Sequence, residues 1–332
     1  MNQVGGPVIS TTRATGAERQ RIIRGWRNDE YVRLAPGHYI ESGQAEDLTR
    51  EERIKARIVA YACTAPRSAV VGISAAHLWG FPVADSHRAL EQQGVELASF
   101  VARTRRSGVV RHRRLGRRSH AGSLHSHETD FGTVLVTDAL TTALDLSRWS
   151  TLDDSVRALD YGLAHELFTR EEVEQRVGTL GAVKGIAHVQ LAFLLASSGS
   201  ESPRETDVKL LLWRMGTPVP WQQAEIRSRR GVWLGRVDFF YPDLGLIIEY
   251  DGAGKYLVDP GDPHSTKARE YDQNEQYRIN GLVPVHINDA TLRNGIAEEL
   301  IRDYVASLSV LATPYPDHCW SAEHLAWTAP EG

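Results

Sequence analysis

At 332 residues, with 42% hydrophobic and 24% charged side chains and a formal net charge of −4, the chain has the length of two domains and the makeup of a protein with packed cores. That composition excludes a disordered, collagenous or disulfide-stapled class. No apolar run approaches the ~20 residues of a membrane-spanning helix, and the polar start around Arg13, Glu18, Arg19 and Arg21 holds no signal-peptide core, so the expected location is cytoplasmic with no membrane partner.

Cys63 and Cys319 are the only cysteines, too few for a disulfide framework or a thiolate zinc motif. The charge divides unevenly. Residues 1–130 hold 20 Lys/Arg against 13 Asp/Glu, a balance of +7, and the remainder holds 18 against 29, a balance of −11. A polyanion is drawn to the first part, whereas the second tolerates phosphates only where arginines or bound cations offset its carboxylates.

Taken in chain order, Ala17 to Arg27 has helical spacing, and Tyr31 to Leu34, a Pro36-Gly37 turn and His38 to Ile40 read as a basic hairpin. A helix running into such a hairpin suggests a winged-helix domain over residues 1–70, with Arg21, Arg24, Arg27 and Arg33 as contacts to a DNA backbone. Thr49 with Glu52 is a capping-box pattern opening a helix to about Ala62, and Ser74 to Trp79 reads as a short helix stopped by Gly80.

Eight arginines lie between Arg103 and Arg118, interleaved with Val109, Val110 and Leu115. Two readings stand side by side: a solvated edge hairpin whose charges discourage edge-to-edge pairing, or a phosphate-tracking strip including Arg105, Arg106, Arg113 and Arg114. His120, His125 and His127 fit no metal spacing and read as a polar surface loop. Helices are expected over Thr137 to Arg148, Leu152 to His165 and Thr169 to Val177, making 71–198 a mixed, mainly helical middle region. Gly199, Ser200 and Glu201 mark a boundary, followed by an α/β domain over 199–310 and a tail over 311–332.

Arg236 to Tyr241 and Leu246 to Asp251 are strand-like and joined by Pro242, Asp243, Leu244 and Gly245. If Tyr241 faces Leu246, Phe239 faces Ile248, Asp238 faces Glu249 and Arg236 faces Asp251. Opposed carboxylates beside an apolar strand call for a neutralising cation, and magnesium, with manganese as its substitute, is the simplest. The alternative pairs Arg236 with Asp251 and leaves the other carboxylates to backbone groups or solvent.

Gly252 and Gly254 would turn Lys255 back toward the carboxylates, either as a charge stabiliser or as a solvated side chain. Ser202 to Glu205 opens a further helix, where Glu205 is either a site group or the end of a capping box. His264 and His286 flank the hairpin, and His264 is the better placed as a general base. A charged helix over Ser265 to Ile279, in which Gln273 and Tyr277 share helical spacing, then leads to a strand over Leu282 to Ile287.

At Arg236-Val237-Asp238-Phe239 and Glu249-Tyr250-Asp251-Gly252 the sequence resembles the PD-(D/E)XK nuclease superfamily, in particular its bacterial branch similar to very-short-patch repair endonucleases. The likeness covers about Ser200 to Leu292 and implies a restriction-endonuclease-like α/β (α+β) fold. It also implies that Asp238 is a metal ligand, that Glu249 and Asp251 supply further site groups, and that Glu205 contributes. Where the superfamily's best-known pattern has a lysine two residues after the glutamate, this chain has Asp251. The stretch Arg33 to Tyr39 and the Ser74 to Gly80 helix resemble the winged-helix region of AbiEi-type abortive-infection antitoxins, which implies DNA binding and admits a toxin or defence-system partner.

Together these readings lead to the expectation of a magnesium-dependent endonuclease on double-stranded DNA, in defence or repair. Asp238 and Glu249 would hold the ion, while Asp251, Lys255 and Glu205 would complete the catalytic set. Cutting both strands with one site per chain calls for a homodimer or two binding events. The alternative is a non-cleaving DNA-binding regulator or antitoxin, and the metal chemistry alone does not separate DNA from RNA.

Overall fold

The computed structural model describes residues 2–12, 14–83, 94–101, 105–107, 109–116, 120, 122–252, 263–311 and 313–328, with side chains except at 105–107, 263–270 and 311. The fold is mixed α/β. Two compact units divide the chain, one formed by Met1–Ala158 and Leu167–Ala192, the other by Leu159–Glu166 and Phe193–Gly332. No helix among the described residues is long and apolar enough to cross a membrane.

The first unit begins with β1 (Gln3–Val4), β2 (Ile9–Ser10), α1 (Gly16–Arg27), β3 (Tyr31–Ala35), β4 (His38–Glu41), α2 (Ser42–Asp47) and α3 (Arg50–Thr64). Thr15 with Glu18 and Thr49 with Glu52 close reciprocal capping boxes on α1 and α3, satisfying backbone donors that each helix start leaves open. The expected hairpin is present and gains a strand, in the order β2-β4-β3.

Next come β5 (Ala69–Val70), α4 (Gly72–Trp79), β6 (Val95–Ser99), β7 (Arg105–Ser107), β8 (Val110–Arg114), β9 (Leu124–Thr129) and β10 (Gly132–Thr137). They join β1 in a seven-stranded sheet ordered β1-β10-β5-β6-β8-β7, with β9 also paired to β10. Because β1 and β5 belong to this sheet, residues 1–70 are not a domain apart. The middle region is mixed and mainly helical, as expected, and its strands, which sequence reading did not place, all enter this sheet. Helices α5 (Ala139–Trp149), α6 (Leu152–Ala164), α7 (Arg170–Leu180) and α8 (Ile186–Leu195) follow in the chain, α6 from Leu159 and α8 from Phe193 belonging to the second unit, and the third is opened by a Thr169–Glu172 capping box.

Within the arginine-rich stretch, β7 and β8 form an antiparallel pair and β7 ends the sheet order, the arrangement of the edge-hairpin reading. His120 is a correction: it is buried, with Nε2 2.8 Å from Asp145 Oδ2 and its ring stacked on Trp149. A buried carboxylate needs such partners, and Asp145 also receives Arg148 at 2.9 Å.

The second unit contains α9 (Pro203–Arg214), β11 (Trp221–Arg227), β12 (Trp233–Tyr241), β13 (Leu246–Asp251), α10 (Pro263–Ile279), β14 (Val283–Asn288), α11 (Asp289–Arg293), α12 (Ile296–Leu311), β15 (Trp320–Ser321) and β16 (His324–Leu325). Its sheet runs β14-β13-β12-β11-β15, with β16 also on β11. Neighbours are antiparallel except β13 and β14, whose parallel pairing uses α10 as the crossover. Ala224, Ile226, Val237, Ile247, Tyr277 and Leu282 form the core cluster.

The segment read as a tail is built into this unit. Tyr315 and Cys319 join the same cluster, Trp327 is buried, and β15 and β16 cover the edge of β11, which would otherwise expose unpaired backbone groups.

Gly235 on β12 lets α10 approach closely, since a Cβ there would lie 2.3 Å from both Gln273 Nε2 and Tyr277 Oη. Both atoms belong to a packed, hydrogen-bonded pair. Gly235→Ala should therefore destabilise the protein by about 1–3 kcal/mol through overpacking. Thermal melts of the two proteins check this, and an unchanged midpoint would show that α10 is free to move.

Candidate active site

The β12–β13 hairpin has the predicted register, with Tyr241 opposite Leu246, Phe240 opposite Ile247 and Phe239 opposite Ile248. There the ladder stops. Instead of facing Glu249 as a paired residue, Asp238 turns its Oδ2 onto the backbone N–H of Tyr250 at 2.7 Å, a charge-assisted bond that replaces a ladder bond. Arg236 does not reach Asp251. Its two guanidinium nitrogens grip Glu201 at 2.8 Å each, so that part of the predicted register is corrected.

Asp251 has a different partner. The parallel β13–β14 register places His286 beside Glu249 and Asn288 beside Asp251. His286 Nδ1 lies 2.9 Å from Asp251 Oδ2 and 3.7 Å from Glu249 Oε2, and its Nε2 lies 3.0 Å from Asn274 Oδ1 on α10. One ligand atom from each of Glu249, Asp251 and His286 falls within 4.8 Å of the others. The side chains are 15%, 22% and 31% exposed, held by the sheet yet open to a ligand.

Two carboxylates and an imidazole at this spacing fit a divalent cation. Asp238 lies outside that three-residue group, on β12, where its Oδ2 accepts from the backbone N–H of Tyr250. His286, one of the two flanking histidines, is brought to the site; the side chain of the other, His264, lies outside the described residues, as does Lys255.

Glu205 sits in the first turn of α9, where its N–H donates to Ser202 Oγ at 3.2 Å. The capping box goes no further, because Glu205 Oε2 accepts from Glu201 N at 2.9 Å and from Gln223 Nε2 at 3.0 Å. Burial, followed by the negative charge of Asp238, raises the Glu205 pKa from 4.5 to about 7. Buried Glu205 thus lies within the field of half-buried Asp238 on β12, the strand next to the one that carries Glu249.

Sequence reading missed Gln223. Its φ is +52°, in the left-handed region that costs a non-glycine residue about 1–2 kcal/mol. The β11–β12 ladder passes from Gln222–Phe239 to Ala224–Val237 without pairing Gln223 and Asp238. Gln223 is thereby turned to Glu205. Nothing in Trp221-Gln222-Gln223-Ala224 distinguishes it from its neighbour. Behind the site, fully buried Tyr277 accepts from Gln273 Nε2 at 3.0 Å, and burial, then Glu249, push its phenol pKa up.

Of the basic residues, Arg21, Arg24, Arg27, Arg33 and Arg114 are exposed, and Arg33 lies 5.4 Å from the ring centre of Trp26. Arg113 is turned inward. Its Nε donates to buried Glu96 at 3.0 Å and its guanidinium covers Trp149 at 4.6 Å, so it is committed to the fold rather than to a phosphate. Arg105 and Arg106 lie on β7, and their side chains are outside the described residues.

The Glu205 shift has a definite sign. A carboxyl whose folded pKa exceeds its unfolded value binds a proton more tightly when folded, so it contributes stability below about pH 4.5 that is lost as pH rises through 7. The loss is of the order of ~3 kcal/mol. Glu205→Gln, which keeps both accepted bonds, should flatten the fall in melting temperature between pH 5 and 8, and equal slopes in both proteins would remove Glu205 as its source.

No family model matches the chain. Two uncharacterized proteins of Mycobacterium tuberculosis, from strains CDC 1551 / Oshkosh and ATCC 25618 / H37Rv, are each 30% identical to it over 118 residues. That stretch is 35% of this chain and 43% of either relative, so the chain spans less than half the length of the curated proteins it matches.

Proposed function

We propose that this protein is a metal-dependent endonuclease that hydrolyses phosphodiester bonds of double-stranded DNA. The observation that carries the reading is the convergence of Glu249, Asp251 and His286 on two paired strands, next to the strand that carries Asp238. The resemblance to PD-(D/E)XK nucleases, which rests on the same residues, supports it.

Bound magnesium or manganese would supply Lewis acidity toward a phosphate oxygen and acidify a nearby water. The chain's own groups do the rest. Glu249 and Asp251 offer ligand oxygens, and Asp238, fixed by Tyr250 N–H, adds negative charge on the adjoining strand. Glu205 Oε2 is occupied by two donors, which leaves Oε1 to take up a proton, and a pKa of about 7 suits a general base near neutral pH.

In the first unit, exposed Arg21, Arg24 and Arg27 on α1 and Arg33 on β3 belong to a helix and hairpin of the winged-helix kind and would neutralise phosphates with little base selectivity. A cytoplasmic role in defence or repair, with a homodimer for double-strand cuts, goes with this reading. Asp251 in the place of the superfamily lysine favours a second one, an AbiEi-type DNA-binding regulator that keeps the fold without cleaving.

Incubating supercoiled plasmid with the purified protein and magnesium or manganese, beside a chelator control and Asp238→Ala, tests the choice. Nicking abolished by both controls is the expected result. Binding without nicking, lost on replacing Arg24 and Arg33, would instead identify the regulator.

A further inference from the structure

We infer that His286 is a metal ligand and that the site consequently takes manganese, and its heavier first-row neighbours, in preference to magnesium. This inference rests on the metal reading above and specifies which ion that site selects.

Magnesium demands oxygen ligands, dehydrates reluctantly and is usually held by one or two carboxylates with several waters. A third protein donor gives it little, least of all a nitrogen. First-row transition ions gain from an imidazole, with affinity rising from manganese through iron and cobalt. Glu249 and Asp251 alone would make a magnesium site, and Nδ1 of His286, within 4.8 Å of both as a ligand atom, changes the donor chemistry.

Three features make His286 more than a neighbour. The imidazole is oriented from behind: with Asn274 Oδ1, 3.0 Å from Nε2, accepting the Nε2–H, Nδ1 is turned to the carboxylates, 2.9 Å from Asp251 Oδ2, where a cation between them would take its lone pair in place of that hydrogen bond. This is the outer partner that metal-binding histidines characteristically have. The main chain fixes the spacing, since His286 and Glu249 are register partners in parallel strands. Slipping that register is opposed by the fully buried side chains of Ile248 and Ile287. Finally, the donors come from two strands, β13 and β14, and the outer partner Asn274 from α10, so the arrangement is built by the fold and not by one loop.

The test is binding of manganese alone and magnesium alone to the 332-residue chain, by calorimetry and by pulsed electron paramagnetic resonance of the manganese form. Wild type should bind manganese at least ~10-fold more tightly than magnesium and show nitrogen hyperfine coupling from an imidazole. His286→Ala should lose that coupling and bind manganese about 10–100-fold more weakly, with magnesium affinity nearly unchanged. Asn274→Ala, which keeps the histidine, should cost about 10-fold for manganese.

Manganese bound without nitrogen coupling in wild type would overturn the inference and leave the nuclease reading standing on the carboxylates. Failure of wild type to bind either ion would sink both.

Discussion

Glu249→Gln should lower manganese-supported nicking of supercoiled plasmid by about 10³-fold or more. A metal ion contributes several kcal/mol to stabilising charge in such a reaction, and about 1.4 kcal/mol corresponds to a factor of ten. Losing a charged ligand that lies against both Asp251 and His286 removes much of that stabilisation. Glutamine has nearly the same volume, and the apolar neighbours Ile247 and Ile248 remain fully buried, so the sheet should persist.

Loss of one of several crowded carboxylates should also leave the melting temperature unchanged or raise it. Nicking rates from gels and melts by circular dichroism give both readouts. Full-rate cleavage by the variant would exclude Glu249 from catalysis, and a collapsed melt would assign it a structural role.

The site stores unfavourable free energy in more than one form. Glu205 is desolvated beside Asp238, Gln223 is held at positive φ, and the β12–β13 ladder ends where its carboxylates begin. Such departures from local preference concentrate where function requires them. The apolar core around Val237, Ile247 and Tyr277 is what can sustain them.

Much of this was legible in the sequence. The hairpin register followed from a four-residue loop and alternating side chains, and the capping box at Thr49 rests on Thr-x-x-Glu spacing alone. What was not legible depends on contacts distant in sequence. His286 comes beside Glu249 only through a parallel pairing 37 residues away, and parallel partners leave no turn signal. The seven-stranded sheet was missed because β5 has two residues and β9, His-rich and largely exposed, alternates weakly. The tail carries no periodicity because its short strands only cover an existing edge.

Lys209→Met should destabilise the second unit by roughly 3–5 kcal/mol, the largest stability effect expected from a single substitution here. Lys209 is fully buried, with Nζ 2.6 Å from Asp160 Oδ2. Asp160 also accepts from Thr206 Oγ1 at 2.7 Å and Ser197 N at 2.8 Å. Removing the ammonium strands a carboxylate away from water, and two neutral donors cannot replace its charge. Asp160→Asn combined with Lys209→Met should recover most of the loss, because no isolated charge then remains. The pair also fixes α9, and Lys209 lies one turn beyond Glu205 on the same helix. Weakening this anchor should therefore reduce cleavage as well as stability, while the double variant restores the melt and, with α9 again seated, much of the activity. A double variant that melts as low as Lys209→Met would show that packing at position 209, and not the buried charge, is what holds the helix.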